Sequence, residues 1–272
     1  MQSAISALKF KGKSIGFVPT MGCLHAGHAS LLKKYRKEND VSVLSIFVNP
    51  RQFSPQEDFK RYPRTFKKDE NFAKKEKVDI IFHPSVDDMY PLGFLTSVEI
   101  RNLSEQLCGR FRPGHFQGVT TVVAKLLNIV SPHVLYLGQK DAQQAMVIQT
   151  MVKDLNFPTH VKVLPTIREH DGLALSSRNI YLSPEERVAA RVLYQALLAA
   201  KNQIRNGEYK PHRIIQKMRS MILAKTSGPV DYIELVDAST LKKLKTLQGN
   251  VLIALAVWFG RARLIDNITI RI

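Results

Sequence analysis

Through the first two-thirds of this chain, short apolar runs rich in β-branched residues alternate with longer amphipathic stretches. No other feature restricts the fold as much. Strand patterns at residues 14–18, 41–48, 78–82, 134–137 and 160–164 are separated by helical patterns at 28–39, 65–77, 119–130 and 141–155. Strands spaced by helices build βαβ units, so this part predicts an α/β domain around a parallel sheet. Past Pro165 the pattern changes. Ser183-Pro184-Glu185-Glu186 reads as a helix start, with a serine cap, proline in the first helical position and glutamate in the third. Val188, Val192, Leu193, Ala196, Leu197 and Ala200 then keep a helical period until Asn206-Gly207. A further helix at 211–225 and strands at 231–236, 251–259 and 264–272 suggest a smaller α+β domain. The expected domains are residues 1–166 and 167–272, with the boundary region at 165–178.

A length of 272 residues with 44% hydrophobic and 23% charged side chains supports one large or two modest cores and excludes a disordered chain. The longest apolar stretch, 251–259, is too short to span a bilayer. The opening MQSAISALKFKGKS has no apolar signal core, which predicts a soluble, cytoplasmic protein. Two cysteines, Cys23 and Cys108, exclude a disulfide scaffold and lack metal-ligand spacing. The balance of 40 Lys+Arg against 23 Asp+Glu gives +17, which favours anionic partners: nucleic acid, a membrane surface or phosphorylated small molecules. The basic residues are scattered, as at Lys9/Lys11/Lys13, Lys33/Lys34, Lys67/Lys68 and Lys242/Lys243/Lys245. That distribution fits a solvated basic surface better than a nucleic-acid groove.

Four constellations carry chemistry. Directly after the first strand come Pro19, Thr20, Met21, Gly22, Cys23, Leu24, His25, Ala26, Gly27 and His28, which open a helix. Such a turn aims backbone N–H groups and the positive end of the helix dipole at one point, an anion site. The two glycines admit a phosphate close to the backbone, and His25 and His28 can both donate to it. A metal pair or two surface histidines are the other readings, and no further ligands lie at metal-site spacing. His-x-Gly-His at this place is a fairly specific sign of nucleotidyl transfer. Gly138, Gln139, Lys140, Asp141, Ala142, Gln143 and Gln144 form a second strand end. Asp141 with Gln144 fits a capping box that needs no function, whereas Lys140 puts an ammonium where open α/β sheets bind ligands. Third, Leu175, Ser176, Ser177, Arg178 and Asn179, preceded by Arg168 and Asp171-Gly172, suit a mobile loop that grips phosphate through arginine. Fourth, Asn49 and Gln52 stand between Phe47 and Phe53, a mixture suited to a small polar substrate with an apolar body. An Asn-Pro turn explains the same residues without function.

Taken in order, the turn at 19–28, FVNPRQF at 47–53, RPGHFQGVTTVVAKLLNIVSP at 112–132, GQKDAQQ at 138–144, REHDGLALSSRNIYLS at 168–183 and RLIDN at 263–267 resemble the pantothenate synthetase (pantoate–β-alanine ligase) family over essentially the whole chain. The resemblance implies a Rossmann-like nucleotidyltransferase domain with a parallel sheet, and a smaller C-terminal α+β lid domain. It implies a homodimer that uses ATP and Mg2+, joining pantoate to β-alanine through pantoyl adenylate. By motif, Met21 to His28 and Gly138, Gln139, Lys140 and Asp141 would contact ATP, as would Ile167, Leu175, Ser176, Ser177 and Arg178. His28, His25, Lys140 and Arg178 would be catalytic, with His28 the usual proton donor. Gln52 and Gln144 would bind pantoate, Gln52 also β-alanine, and Asn49 is a further candidate contact. The metal ligands stay unassigned. Arg112 and His115 either serve the site or brace a loop, with the first preferred.

The chain departs from the family pattern at Cys23 and Ala26. Its segment before the first motif is shorter than usual, which predicts the loss of an edge strand or helical turn. Another His-x-Gly-His nucleotidylyltransferase, a tRNA synthetase fragment among them, would share the first motif but not FVNPRQF together with RPGHF. A nucleic-acid-binding protein rests on the charge alone, and an inactive relative is disfavoured by the intact His, Lys, Gln and Arg set.

Overall fold

The computed structural model describes residues 1–55 and 57–272. The chain divides into two compact units. The first comprises Met1–Glu105, Arg112–Gln139 and Gln143–Pro165, and the second Gln106–Phe111, Lys140–Ala142 and Thr166–Ile272.

Helix α1 (Gln2–Phe10) opens the first unit and buries Ile5. Then follow β1 (Ile15–Thr20), α2 (Ala26–Glu38), β2 (Val41–Ile46), α3 (Phe66–Lys75), β3 (Ile80–Phe82) and the single turn α4 (Val86–Met89). The turn α5 (Cys108–Phe111) belongs to the second unit. Helix α6 (His115–Val130), β4 (Val134–Gly138), α7 (Ala142–Asp154) and β5 (His160–Leu164) complete the series. The five strands form one parallel sheet in the order β3-β2-β1-β4-β5. Every residue of β2 is buried, as parallel strands covered on both faces require. Helix α2 buries Ala29, Leu31, Leu32 and Tyr35 while Lys33, Lys34 and Lys37 face solvent. The strand order reverses between β1 and its neighbours β2 and β4. A crevice at the carboxyl ends of those strands is where doubly wound sheets bind ligands.

In the second unit, β6 (Val230–Asp237), β7 (Asn250–Phe259) and β8 (Ala262–Arg271) form an antiparallel sheet in chain order. Helices α8 (Pro184–Ala189), α9 (Val192–Arg205) and α10 (Pro211–Leu223) precede it. Ser183 and Glu186 make the reciprocal cap that their spacing predicts, at 3.2 and 2.9 Å. The single helix expected from Ser183 to Asn206 is instead broken. Leu193 N–H bonds to Ala190 O at 3.1 Å, a three-residue spacing that interrupts the helical ladder. Val188, on the short helix before the break, is therefore exposed, while Val192, Leu193, Ala196, Leu197 and Ala200 are buried. They pack with Ile214, Met218 and Ile222 of α10 and with Ile253, Leu255 and Val257 of β7.

A 3-10 turn at Pro50–Gln52 sits directly on the backbone of α6. A Cβ at Gly118 would lie 2.2 Å from Arg51 O and 2.6 Å from Gln52 N, closer than atoms pack, so only glycine permits this seating. Gly118→Ala is therefore expected to destabilise the protein by about 1–3 kcal/mol through overpacking. Urea unfolding measures this, and an unchanged midpoint would mean that the turn is not held against the helix.

Candidate active site

The turn from β1 to α2 is built almost entirely from internal hydrogen bonds. Gly22 N–H donates to Thr20 Oγ1 at 3.2 Å, and Cys23 and Leu24 N–H donate to the carboxylate of Asp69 on α3 at 3.0 and 2.7 Å. His25 is the N-cap of α2, its Nδ1 accepting from Gly27 N–H at 3.1 Å. His28 closes the reciprocal bond, with Nδ1 accepting from His25 N–H at 3.2 Å. The two half-buried rings lie 4.1 Å apart between centroids. With both Nδ1 atoms acting as acceptors, each neutral ring carries its proton on Nε2, the edge that does not face the turn backbone. The turn thus differs from the expected nest of open amides. Five of its N–H groups are committed, so the turn presents two imidazole rings and the helix dipole in place of open amides. Ala26 is exposed and Cys23 adopts a left-handed backbone, with φ of +52°.

Met21 links this turn to the Gln52 loop, because Gln52 Nε2 donates to Met21 Sδ at 3.0 Å. Gln52 is buried and its Oε1 accepts from Asn49 Nδ2 at 3.1 Å. Asn49, expected at the mouth of the cleft, is only 1% exposed. Its Nδ2 also donates to Gly118 O, and its Oδ1 accepts from Tyr90 Oη and Arg51 N. Every polar atom of that amide is bonded inside the protein, so Asn49 braces the turn. Arg112 and His115 reach this loop too. Arg112 makes a two-point ion pair with Glu57 at 2.8 and 2.7 Å and donates to Gln52 O. His115 Nδ1 donates to Gln52 O at 2.8 Å, which leaves its Nε2 to accept from Arg112 at 3.1 Å. Both hold the Gln52 carbonyl in place. Gln144 is half-buried on the first turn of α7, beside Gln143, whose Nε2 donates to Leu103 O.

Within the second unit, Lys140 lines a small hollow with Ala174, Ser176, Asn179, Leu264 and Asp266. Lys140 Nζ is 3.8 Å from Asp141, and its carbonyl accepts from Asn267 Nδ2 at 2.9 Å. Asp266 on β8 is almost wholly buried, which pushes its carboxyl above the ordinary range, and the paired Arg168 opposes that shift. Arg168 grips both Asp266 oxygens at 2.6 and 2.9 Å, donates to Gly172 O and stacks over Tyr194. This pair fixes the start of the loop that carries Leu175, Ser176, Ser177 and Arg178. Ser176 caps the 3-10 turn Ser177–Tyr181 by accepting from Arg178 N–H. Ile167, at the entry to this loop, is exposed. Sequence reasoning gave no role to Asp69, Glu57, Gly118 or Asp266. Among the described residues, no three His, Cys, Asp or Glu side chains are grouped to hold a metal ion. No helix among them is long and apolar enough to cross a membrane.

Comparison with known proteins gives one answer at three levels. Residues 1–269 match the family model described as pantoate-beta-alanine ligase. The pantothenate synthetase of Caldicellulosiruptor bescii is 53% identical over 99% of this chain and 96% of its own length. That of Sulfurihydrogenibium sp. is 54% identical over 98% and 96%. The crystal structure of pantothenate synthetase from Thermus thermophilus superposes with a TM-score of 0.92 at 44% identity, covering 97% of this chain and 96% of that one. Pantoate-beta-alanine ligase from Francisella tularensis, complexed with beta-gamma ATP and beta-alanine, gives 0.80 at 39% identity over 98% and 93%. With its parallel sheet, its paired imidazoles and full-length agreement with these enzymes, the chain belongs to the pantoate–β-alanine ligase family.

Proposed function

We propose that this chain condenses pantoate with β-alanine to give pantothenate at the expense of ATP. The interlocked His25–His28 pair at the carboxyl end of β1 carries this reading, in a chain that matches the ligase family over residues 1–269. The pantoate carboxylate attacks the α-phosphorus of ATP, the bond to the bridging oxygen breaks, and pyrophosphate leaves. The β-alanine amine then attacks the acyl carbon of pantoyl adenylate, loses a proton and displaces AMP. Negative charge grows on the phosphates in the first step. Donors fixed beforehand stabilise it more in the transition state than in the ground state.

His25 and His28 supply such donors as neutral rings, because a proton on either Nδ1 would face a backbone N–H and break the cap. In this reading His28 stabilises charge by hydrogen bonding through Nε2 rather than acting as an imidazolium acid. Lys140 and Arg178 take nucleotide phosphates, and Gly138, Gln139, Asp141, Ile167, Leu175, Ser176 and Ser177 make the remaining ATP contacts. Gln52 and Gln144 bind pantoate, Gln52 also β-alanine. Magnesium enters as part of the ATP substrate, in keeping with its habit of binding through phosphates and waters. Homodimer formation and a cytoplasmic location, implied by family resemblance, complete the proposal.

The direct test is incubation with ATP, magnesium, pantoate and β-alanine, leaving out one component at a time and detecting product by mass. Pantothenate and AMP are expected only from the complete mixture, and AMP formation that ignores pantoate would exclude the reading. His28→Ala is expected to lower pantoate-dependent ATP–pyrophosphate exchange by about a hundredfold or more. Its circular dichroism should match the parent chain, with about 1 kcal/mol of stability lost from the missing cap. Glu57→Gln releases Arg112 and so loosens Gln52. It is expected to raise KM for pantoate about tenfold with KM for ATP unchanged, and steady-state kinetics showing the reverse would remove Gln52 from the pantoate site.

A further inference from the structure

Helix α3 turns a lysine-rich face to solvent and buries Asp69 and Ala73. A buried carboxylate is tolerated only when its oxygens are hydrogen-bonded, and Asp69, 3% exposed, meets that condition largely through the β1–α2 turn. Its Oδ2 accepts from Cys23 N–H and from Thr65 Oγ1, each at 3.0 Å, and its Oδ1 from Leu24 N–H at 2.7 Å. Those two amides flank the left-handed backbone of Cys23, a conformation that a residue with a side chain adopts only when its surroundings hold it there. Gly22 also makes room for the carboxylate. A Cβ there would stand 3.0 Å from Asp69 Oδ2 and 3.2 Å from Ile46 Cγ2.

We propose that Asp69 is a positioning residue for the chemical step, acting through the backbone of the turn on His25 and His28. The inference rests on the nucleotidyl-transfer reading of that turn. Only a carboxylate presents two acceptor oxygens to consecutive N–H groups; an amide would turn an N–H donor against one of them. With that clamp loosened, the cap residue His25 and its partner His28 shift together, since each accepts a bond from the same short stretch of backbone. A donor displaced by a fraction of an ångström still binds substrate but no longer matches the transition state.

Asp69→Asn tests this against a purely structural role. At a temperature where circular dichroism shows a folded chain, kcat of pantoate-dependent ATP–pyrophosphate exchange is expected to fall about tenfold to a hundredfold, with KM for pantoate held within about twofold. Added to His28→Ala, the same substitution should cost clearly less than it does in the parent chain, because His28 is one of the two donors that Asp69 positions. Unchanged kcat in the single variant, or losses that multiply in the double one, overturns the proposal. If Asp69→Asn does not fold, Thr65→Ala decides by removing one hydrogen bond from the carboxylate. About a threefold fall in kcat that shrinks in the His28→Ala background supports the proposal, and full activity overturns it. Nitrogen-15 spectra of the labelled histidines supply a readout independent of substrate. His25 and His28 should be protonated at Nε2 in the parent chain and shift toward a mixture of tautomers in Asp69→Asn, and identical spectra overturn the proposal. An absence of pantoate-dependent exchange in the parent chain would count against the substrate reading, leaving the histidine spectra to decide on Asp69.

Discussion

Where a buried parallel strand gives way to a helix, the chain exposes consecutive backbone N–H groups that neither element can satisfy. Leaving one of them buried without a partner costs about as much as a lost hydrogen bond. Here the gap is closed by side chains: Thr20 for Gly22, Asp69 for Cys23 and Leu24, and the two histidines for His25 and Gly27. The same bonds set the ring tautomers, so the structural solution and the chemical one coincide. A histidine pair that serves only as surface decoration has no such reason for both Nδ1 atoms to face backbone amides.

The second unit uses a comparable device. Arg168 and Asp266 form a two-point ion pair with the carboxylate almost wholly buried, next to the Asn267 amide that holds the Lys140 carbonyl. A buried pair of this kind adds little net stability but strongly penalises any arrangement that separates the partners. It therefore specifies geometry. The loop that follows Arg168 starts from a fixed point, and the segment around Lys140 is tied to strand β8.

Much of this was legible in the sequence, for identifiable reasons. Apolar β-branched runs and helical stripes pointed to the parallel sheet, and Ser183-Pro184-Glu185-Glu186 to its helix start, because those signals are local. The break at Ala190 was not legible, since neither Ala190 nor Arg191 is a helix breaker and the tightened turn belongs to tertiary packing. Asn49 followed the plain Asn-Pro turn reading, its side chain accepting from Arg51 N–H two residues on. Arg112 and His115 sit in a distinctive motif, but their partners, Glu57 and the Gln52 carbonyl, lie more than fifty positions away. Asp69 was overlooked because an aspartate among lysines reads as solvated. The available signal was its phase, which puts it on one face with Phe72 and Ala73 and away from the lysines. The dispersed positive charge also finds a plain local account, with the lysines of α2 and α3 on solvent faces and several paired with Glu38 and Glu70.

The missing side chain at Gly118 ties two properties together that are often separable. Because the helix core and the Gln52 turn meet backbone to backbone, without a flexible side chain between them as a buffer, any drift in the axis of α6 is transmitted undamped to the glutamine. Mutations deep in that helix, remote from any ligand, should therefore register as altered substrate affinity. In lineages of this enzyme, recognition and thermal endurance would have to adapt in step.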